Sequence, residues 1–243
     1  MSAAPVDDVE ILKALRDAAP PPPPSAALRT SLDAMKPVRT RVPWRTLLVV
    51  LAAACAYPVS ALALYPLRQD LAVLPAAWLI TVALMWLAGF TIPLVLALLP
   101  RRRQVLPDAT RAGRVAVLTA LTLVLTGLLF TVDGPGVTIL PATRWAGFLP
   151  LWWHCVGFSL KATIPMLLVA SISLRRIAVV NLSYLGAAVG AAGGALAGLT
   201  LHGLCPYGGG PHVGLAHGGG VAIGAALGAL WLPTLARVNA RLC

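Results

Sequence analysis

The residues of this chain best suited to chemistry are two cysteines and four histidines. Cys155 sits beside His154. Cys205 falls in a short stretch with His202 and His212, and His217 follows five residues later. A thiolate is a nucleophile, a disulfide partner and a soft metal ligand; an imidazole carries protons and is a borderline ligand. Three readings are open. The plain one is unrelated polar residues at an interface that tolerates them. The second is a Cys155–Cys205 disulfide, which needs an oxidising compartment and Cα atoms within about 7 Å. The third is a metal site built from these thiols and from His154, His202, His212 and His217, suited to a borderline-soft ion such as zinc. There is no CxxC and no paired zinc-ribbon spacing. Cys55, in an apolar run, reads as filler, and Cys243 stands at the chain end.

Other chemistries lack their parts. The chain has no P-loop, HExxH or GxSxG motif and no carboxylate pair. Its acidic residues, Asp7, Asp8, Glu10, Asp17, Asp33, Asp70, Asp108 and Asp133, all lie outside the apolar runs. An ion-coupled transporter usually keeps a carboxylate within the membrane, so transport is disfavoured. The missing CxxC disfavours a disulfide-generating enzyme. The expectation is a protein that is not an enzyme.

The elements that must position these side chains are long apolar helices. The 243 residues are 58% hydrophobic and 11% charged, with mean hydropathy +0.83. About a quarter charged is usual for a soluble domain. So little polar surface points to lipid as the main solvent. Six stretches are long enough to cross about 30 Å of hydrocarbon: 44–64, 74–99, 115–132, 155–174, 179–201 and 218–235. They do not alternate apolar with polar residues, which excludes a membrane β-barrel. The expected fold is all-α: a polytopic bundle of six transmembrane helices (residues 44–243) behind a short flexible N-terminal tail (1–43).

Charge sets the orientation. Lys13, Arg16, Arg29, Lys36, Arg39, Arg41 and Arg45 flank the first span. Arg101, Arg102, Arg103, Arg111 and Arg114 follow the second, Arg175 and Arg176 the fourth, and Arg237 and Arg241 the last. Alternating spans put all of these on one side, which marks it as cytoplasmic. Arg68 and Arg144 sit opposite, and Lys161 lies near the outer end of the fourth span, where snorkelling is expected. The net charge of +11 is therefore a topology signal, and no direct nucleic-acid binding is expected. Both termini face the cytoplasm of a bacterial inner membrane, lipid is a partner, and all the histidines share the outer side with Cys155 and Cys205. The polar, Pro-rich first 43 residues do not resemble a cleavable leader. HGLCPYGGGPH reads as a Gly-rich outer loop, mobile enough to bring Cys205 toward Cys155.

Two further patterns stand out. The tail holds two short amphipathic pieces on either side of the proline run 20–24: Ile11, Leu12 and Leu15 share one face, and Leu28, Leu32 and Met35 another. Neither piece is stable alone in water, but each suits folding into a partner's apolar groove. Gly186, Gly190, Gly194 and Gly198 recur every four residues in the fifth span, and Gly220, Gly224 and Gly228 in the sixth. Such stripes let backbones approach closely and predict a tight hairpin of the two spans. Pro58, Pro93 and Pro165 fall inside spans, and Trp44, Trp145, Trp152, Trp153 and Trp231 fall near their ends.

Taken together, these features resemble the NrsF-type membrane anti-sigma factors of proteobacteria. The resemblance rests on Lys36, Pro37, Val38 and Arg39 closing the tail and on six spans. It also rests on two outer cysteines 50 residues apart, on Pro206 after the second, and on His217 opening a Gly-rich last span. It implies a protein that holds an extracytoplasmic-function (ECF) sigma factor inactive through its cytoplasmic regions. It further implies release when periplasmic stress, metal or oxidant, acts on the cysteines. Only Cys155 and Cys205 carry over as sensor positions. Family members often place an acid after the Cys-Pro pair, where this chain has Tyr207. The competing expectation is a small transporter or metal-handling permease that uses the His/Cys cluster as an entry site. A redox enzyme with Cys155 as nucleophile stands third.

Overall fold

A glycine- and alanine-rich helix can stand at the centre of a bundle, because its neighbours can close onto its backbone; a leucine-rich helix belongs at the rim. The computed structural model follows this division. It describes residues 43–100, 108–129, 145–174, 181–207 and 209–241, all within one compact unit, Arg41–Cys243. The tail residues Ile11, Leu12, Leu15, Leu28, Leu32 and Met35 lie outside the described residues.

The helices are α1 (Pro43–Leu64), α2 (Ala76–Leu98), α3 (Ala109–Leu129), α4 (Trp145–Leu174), α5 (Leu182–Leu204) and α6 (Gly219–Arg241). A 3₁₀ turn, Gln69–Ala72, lies between α1 and α2. A helical turn, Gly210–His212, and a π-helical turn, Val213–Gly218, lead into α6. No strand occurs among the described residues. Six helices there are long and apolar enough to cross a membrane, a pattern compatible with a multi-pass membrane protein. Exposed Leu48, Val49, Val59, Ile80, Leu84, Leu121 and Leu125 cover the outward faces.

Helix α5 is the axis. Within its apolar stretch 83% of the residues are buried, against 22% in α1, and it touches α1, α2, α3, α4 and α6. Trp86, Leu94, Leu123, Met166, Leu167 and Leu232 fill the space around it. Against α6, a Cβ on Gly186 would strike the Gly228 carbonyl, and one on Gly190 the Gly224 carbonyl. One on Gly194 would lie 2.6 Å from the Val221 Cα and 2.8 Å from the Gly220 carbonyl oxygen. The paired positions run in opposite directions at four-residue steps, so this is an antiparallel seam of backbone against backbone. Gly198 leaves the series: its open face takes the Trp86 ring of α2.

Three helix starts differ from those expected. Span three begins at Ala109 rather than 115 because the Asp108 carboxylate accepts the Arg111 N–H at 3.0 Å. That caps the helix and draws the arginines into its first turns. Helix α4 starts at Trp145, ten residues before 155, so Cys155 sits well inside it. The sixth span starts at Gly210, not 218. Pro211 occupies its first turn, where a missing N–H costs nothing, and the Val213 N–H reaches the Gly209 carbonyl at 2.9 Å. The expected Gly-rich loop shrinks accordingly to the residues between Leu204 and Gly210.

Candidate functional site

At one end of the seam the polar residues gather. The column Cys155, Ser159 and Thr163 repeats every four residues along α4 and turns toward α5 and α6. Ser159 donates to the Cys155 carbonyl at 3.1 Å, and Thr163 to the Ser159 carbonyl at 2.7 Å. Each hydroxyl is thus satisfied within its own helix, as a low-dielectric setting demands. A Cβ on Gly220 would meet the Ser159 hydroxyl oxygen at 2.5 Å, and one on Gly193 the Thr163 hydroxyl oxygen at 2.8 Å. Small residues on three helices therefore bring α4 in close and deliver Cys155 to the end of the seam. Cys205 is the residue at which α5 ends, its N–H held by the Leu201 carbonyl at 2.6 Å.

Cys155, Cys205, His212 and His217 converge there. One ligand atom from each lies within 4.8 Å of the others, and all four residues are buried. The His212 Nε2 is 3.5 Å from the Cys155 sulfur and 3.4 Å from the Cys205 sulfur. The rings of His212 and His217 stand edge to face, centroids 5.2 Å apart, and the Tyr207 ring centroid lies 5.5 Å from that of His212. Leu201, Ala216, Trp152, Phe158 and Tyr207 form an apolar wall around the thiols. Both thiols are free. The Cys155 thiol beside it holds the Cys205 thiol well below the ordinary thiol range; burial opposes this and His212 reinforces it. Such a group can bind a metal, or, with both thiols oxidised, close a disulfide.

The other two histidines are placed elsewhere. His154 is exposed on α4, since adjacent residues on a helix point about 100° apart. His202 is buried in the last turn of α5, its ring centroid 4.8 Å from that of Trp78. Lys161 is exposed, and Cys55 is half-buried in α1.

Two supports have no sequence signature. Trp152 donates from Nε1 to the Leu215 carbonyl at 3.0 Å, tying α4 to the π turn. Arg68 and Asp70, in the connection from α1 to α2, form a buried two-pronged ion pair at 2.5 and 2.6 Å. The Arg68 N–H and guanidinium also reach the Gly203 and His202 carbonyls at 3.0 and 3.4 Å. These are carbonyls that the end of α5 leaves without helical partners. Arg68 holds the Asp70 carboxyl below the usual carboxylate range. The one available clue is that Arg68, like Arg144, departs from the arginine bias of the other connections.

Residues 31–237 match the family described as negative regulator of sigma F, NrsF. The chain belongs to the NrsF family. The match covers all six spans and the four converging side chains, so these belong to a negative regulator whose partner is a sigma factor. No curated protein and no solved structure matches the chain.

Proposed function

We propose that the chain is a membrane anti-sigma factor that holds an ECF sigma factor through its cytoplasmic face and releases it when stress outside the membrane acts on Cys155 and Cys205. The observation that carries the reading is the convergence of these two cysteines. They lie 50 residues apart and on different helices, yet both sulfurs border the same His212 nitrogen. Family membership supplies the sigma factor. The arginine and lysine asymmetry supports an inner-membrane topology with cytoplasmic termini, which places the thiols outside.

Energetics sets the requirement. Moving a bound fraction from 99:1 to 1:99 takes about 5.5 kcal/mol of differential stabilisation. Structural zinc binding reaches about 10 kcal/mol, whereas a disulfide contributes about 2–4 kcal/mol. The tail is the gripping element in this reading, with Ile11, Leu12, Leu15, Leu28, Leu32 and Met35 as its apolar contacts.

Pull-down with the membrane-embedded full chain tests the first half. The sigma factor should co-purify, and deletion of residues 1–35 should lose it; capture that survives the deletion moves the contact elsewhere. The second half is tested in cells. Cys155→Ser and Cys205→Ser should keep basal capture and abolish induced release, and normal induction in both variants removes the thiols from the mechanism.

A further inference from the structure

We propose that Cys155, Cys205, His212 and His217 form a closed, four-coordinate zinc site, with the π turn Val213–Gly218 as the device that completes it. The inference deepens the reading above for its regulatory consequence; metal binding itself rests on the four side chains alone.

The distances fit first. Tetrahedral zinc with bonds of about 2.3 Å to sulfur and 2.0–2.1 Å to nitrogen separates its ligand atoms by about 3.3–3.8 Å. The two sulfur-to-Nε2 distances are 3.5 and 3.4 Å, and every separation in the group lies within 4.8 Å. An ion therefore needs a contraction of about 1.5 Å at most. Two thiolates with two imidazoles are a donor set that zinc favours. Four protein ligands leave no open position for substrate, so the site clamps structure rather than catalyses.

The backbone fits next. Residues five apart on an α-helix point about 140° away from one another, so His212 and His217 could not share a site on a regular helix. A π turn, with i→i+5 hydrogen bonds and about 4.4 residues per turn, brings the fifth residue back to within about 50° of the first. The π turn occupies the interval between the two histidines. It is held from outside by α3. A Cβ on Gly127 would meet the Gly214 Cα at 2.7 Å, and one on Gly218 the Val124 Cα at 2.8 Å. Glycine on both sides thus supports a rare backbone form whose effect is to align two ligands.

Burial gives the third argument. His217 is 1% exposed, and neither of its ring nitrogens makes a well-formed hydrogen bond among the described residues, the Cys205 thiol being the polar group that acts on it. Buried polar atoms without well-formed hydrogen bonds are costly, and a metal ion takes up one of these. Occupied, the site joins the outer part of α4, the end of α5 and the start of the sixth span into one unit. Emptied, it leaves those three elements joined by packing, the weak thiol–His212 hydrogen bonds and the Trp152 bond.

The test uses the full-length chain in detergent micelles, loaded with zinc or cobalt(II) and desalted. One zinc ion per chain should be retained, and magnesium should not. Cobalt(II) should show the intense visible bands of a tetrahedral site and thiolate charge transfer in the near ultraviolet. Cys155→Ser and His217→Gln should each weaken zinc binding by on the order of 100-fold or more, while His154→Gln and His202→Gln retain it. Zinc should also protect Cys155 and Cys205, but not Cys55, from maleimide in the unmodified chain, a readout that needs no variant to fold. Wild-type protein that retains no zinc and gives no tetrahedral cobalt bands overturns the inference, as do unchanged bands in folded His217→Gln. Sigma-factor capture on the same samples separates the two proposals. Capture without zinc binding removes only the metal site, and zinc binding without capture removes only the anti-sigma reading.

Discussion

The seam between the fifth and sixth spans is built in two ways along its length. Over much of its length glycine faces glycine carbonyl at 186/228 and 190/224, with Leu232, Leu167 and Thr163 closing in at the flanks. At its cysteine-bearing end Gly198 turns to Trp86 instead, a π turn precedes α6, and two thiols and two imidazoles occupy the space. The middle is held by van der Waals contact between backbones, which is insensitive to chemistry. The cysteine end carries groups that protonation, oxidation or a ligand would alter. One pair of helices thus carries a fixed half and a responsive half.

The largest expected effect breaks the fixed half. Gly190→Leu would drive a side chain into the Gly224 backbone, which cannot move aside. Overpacking against rigid backbone should cost more than about 3 kcal/mol, read as loss of a monodisperse peak in detergent. Recovery of normally folded protein would show the seam to be slack.

A smaller effect separates the responsive half from its support. Asp70→Ala leaves the buried Arg68 guanidinium without its counter-charge, at a cost of about 3 kcal/mol in thermal or denaturant unfolding. The Asp70 carboxyl is held below its ordinary range. Its contribution is therefore complete above about pH 4 and is lost as pH falls through its folded value. The acid limb of wild-type stability should flatten in Asp70→Ala, and identical acid limbs would mean the pair does not matter. Below that stands Trp152→Phe, which removes the donor to the Leu215 carbonyl. It should cost about 1 kcal/mol, with faster amide exchange confined to the π turn. The smallest effect is of opposite sign: a Cβ on Gly157 meets nothing within 4 Å. Gly157→Ala in α4 should stabilise by about 0.5–1 kcal/mol, and destabilisation would place an unseen neighbour there.

The two halves also differ in how far they could be read from sequence. Six spans follow from length and hydropathy, and the four-residue glycine period marks the facing surfaces of α5 and α6. The cysteine end is less legible because proximity along the chain misleads there. His154 adjoins Cys155 in sequence, yet helical geometry turns it outward, whereas His217 reaches the site only through a backbone form with no sequence signature. Gly209, Gly210 and Pro211 read as loop on local preference; packing against α3 makes the segment that follows helical. Arg68 and Asp70 pair across two residues of a short turn, where no periodicity exists to detect.

The grip of Arg68 on the end of α5 also has a mechanical corollary. Three residues separate Arg68 from Leu64, where α1 ends, and the tail precedes Pro43, at the other end of α1, in the sequence. Any tilt or retreat of the segment bearing Cys205 must therefore either drag the first helix along or snap two bonds to its carbonyls. Arg68 works as a coupling pin between the end of α5 that carries Cys205 and the end of α1.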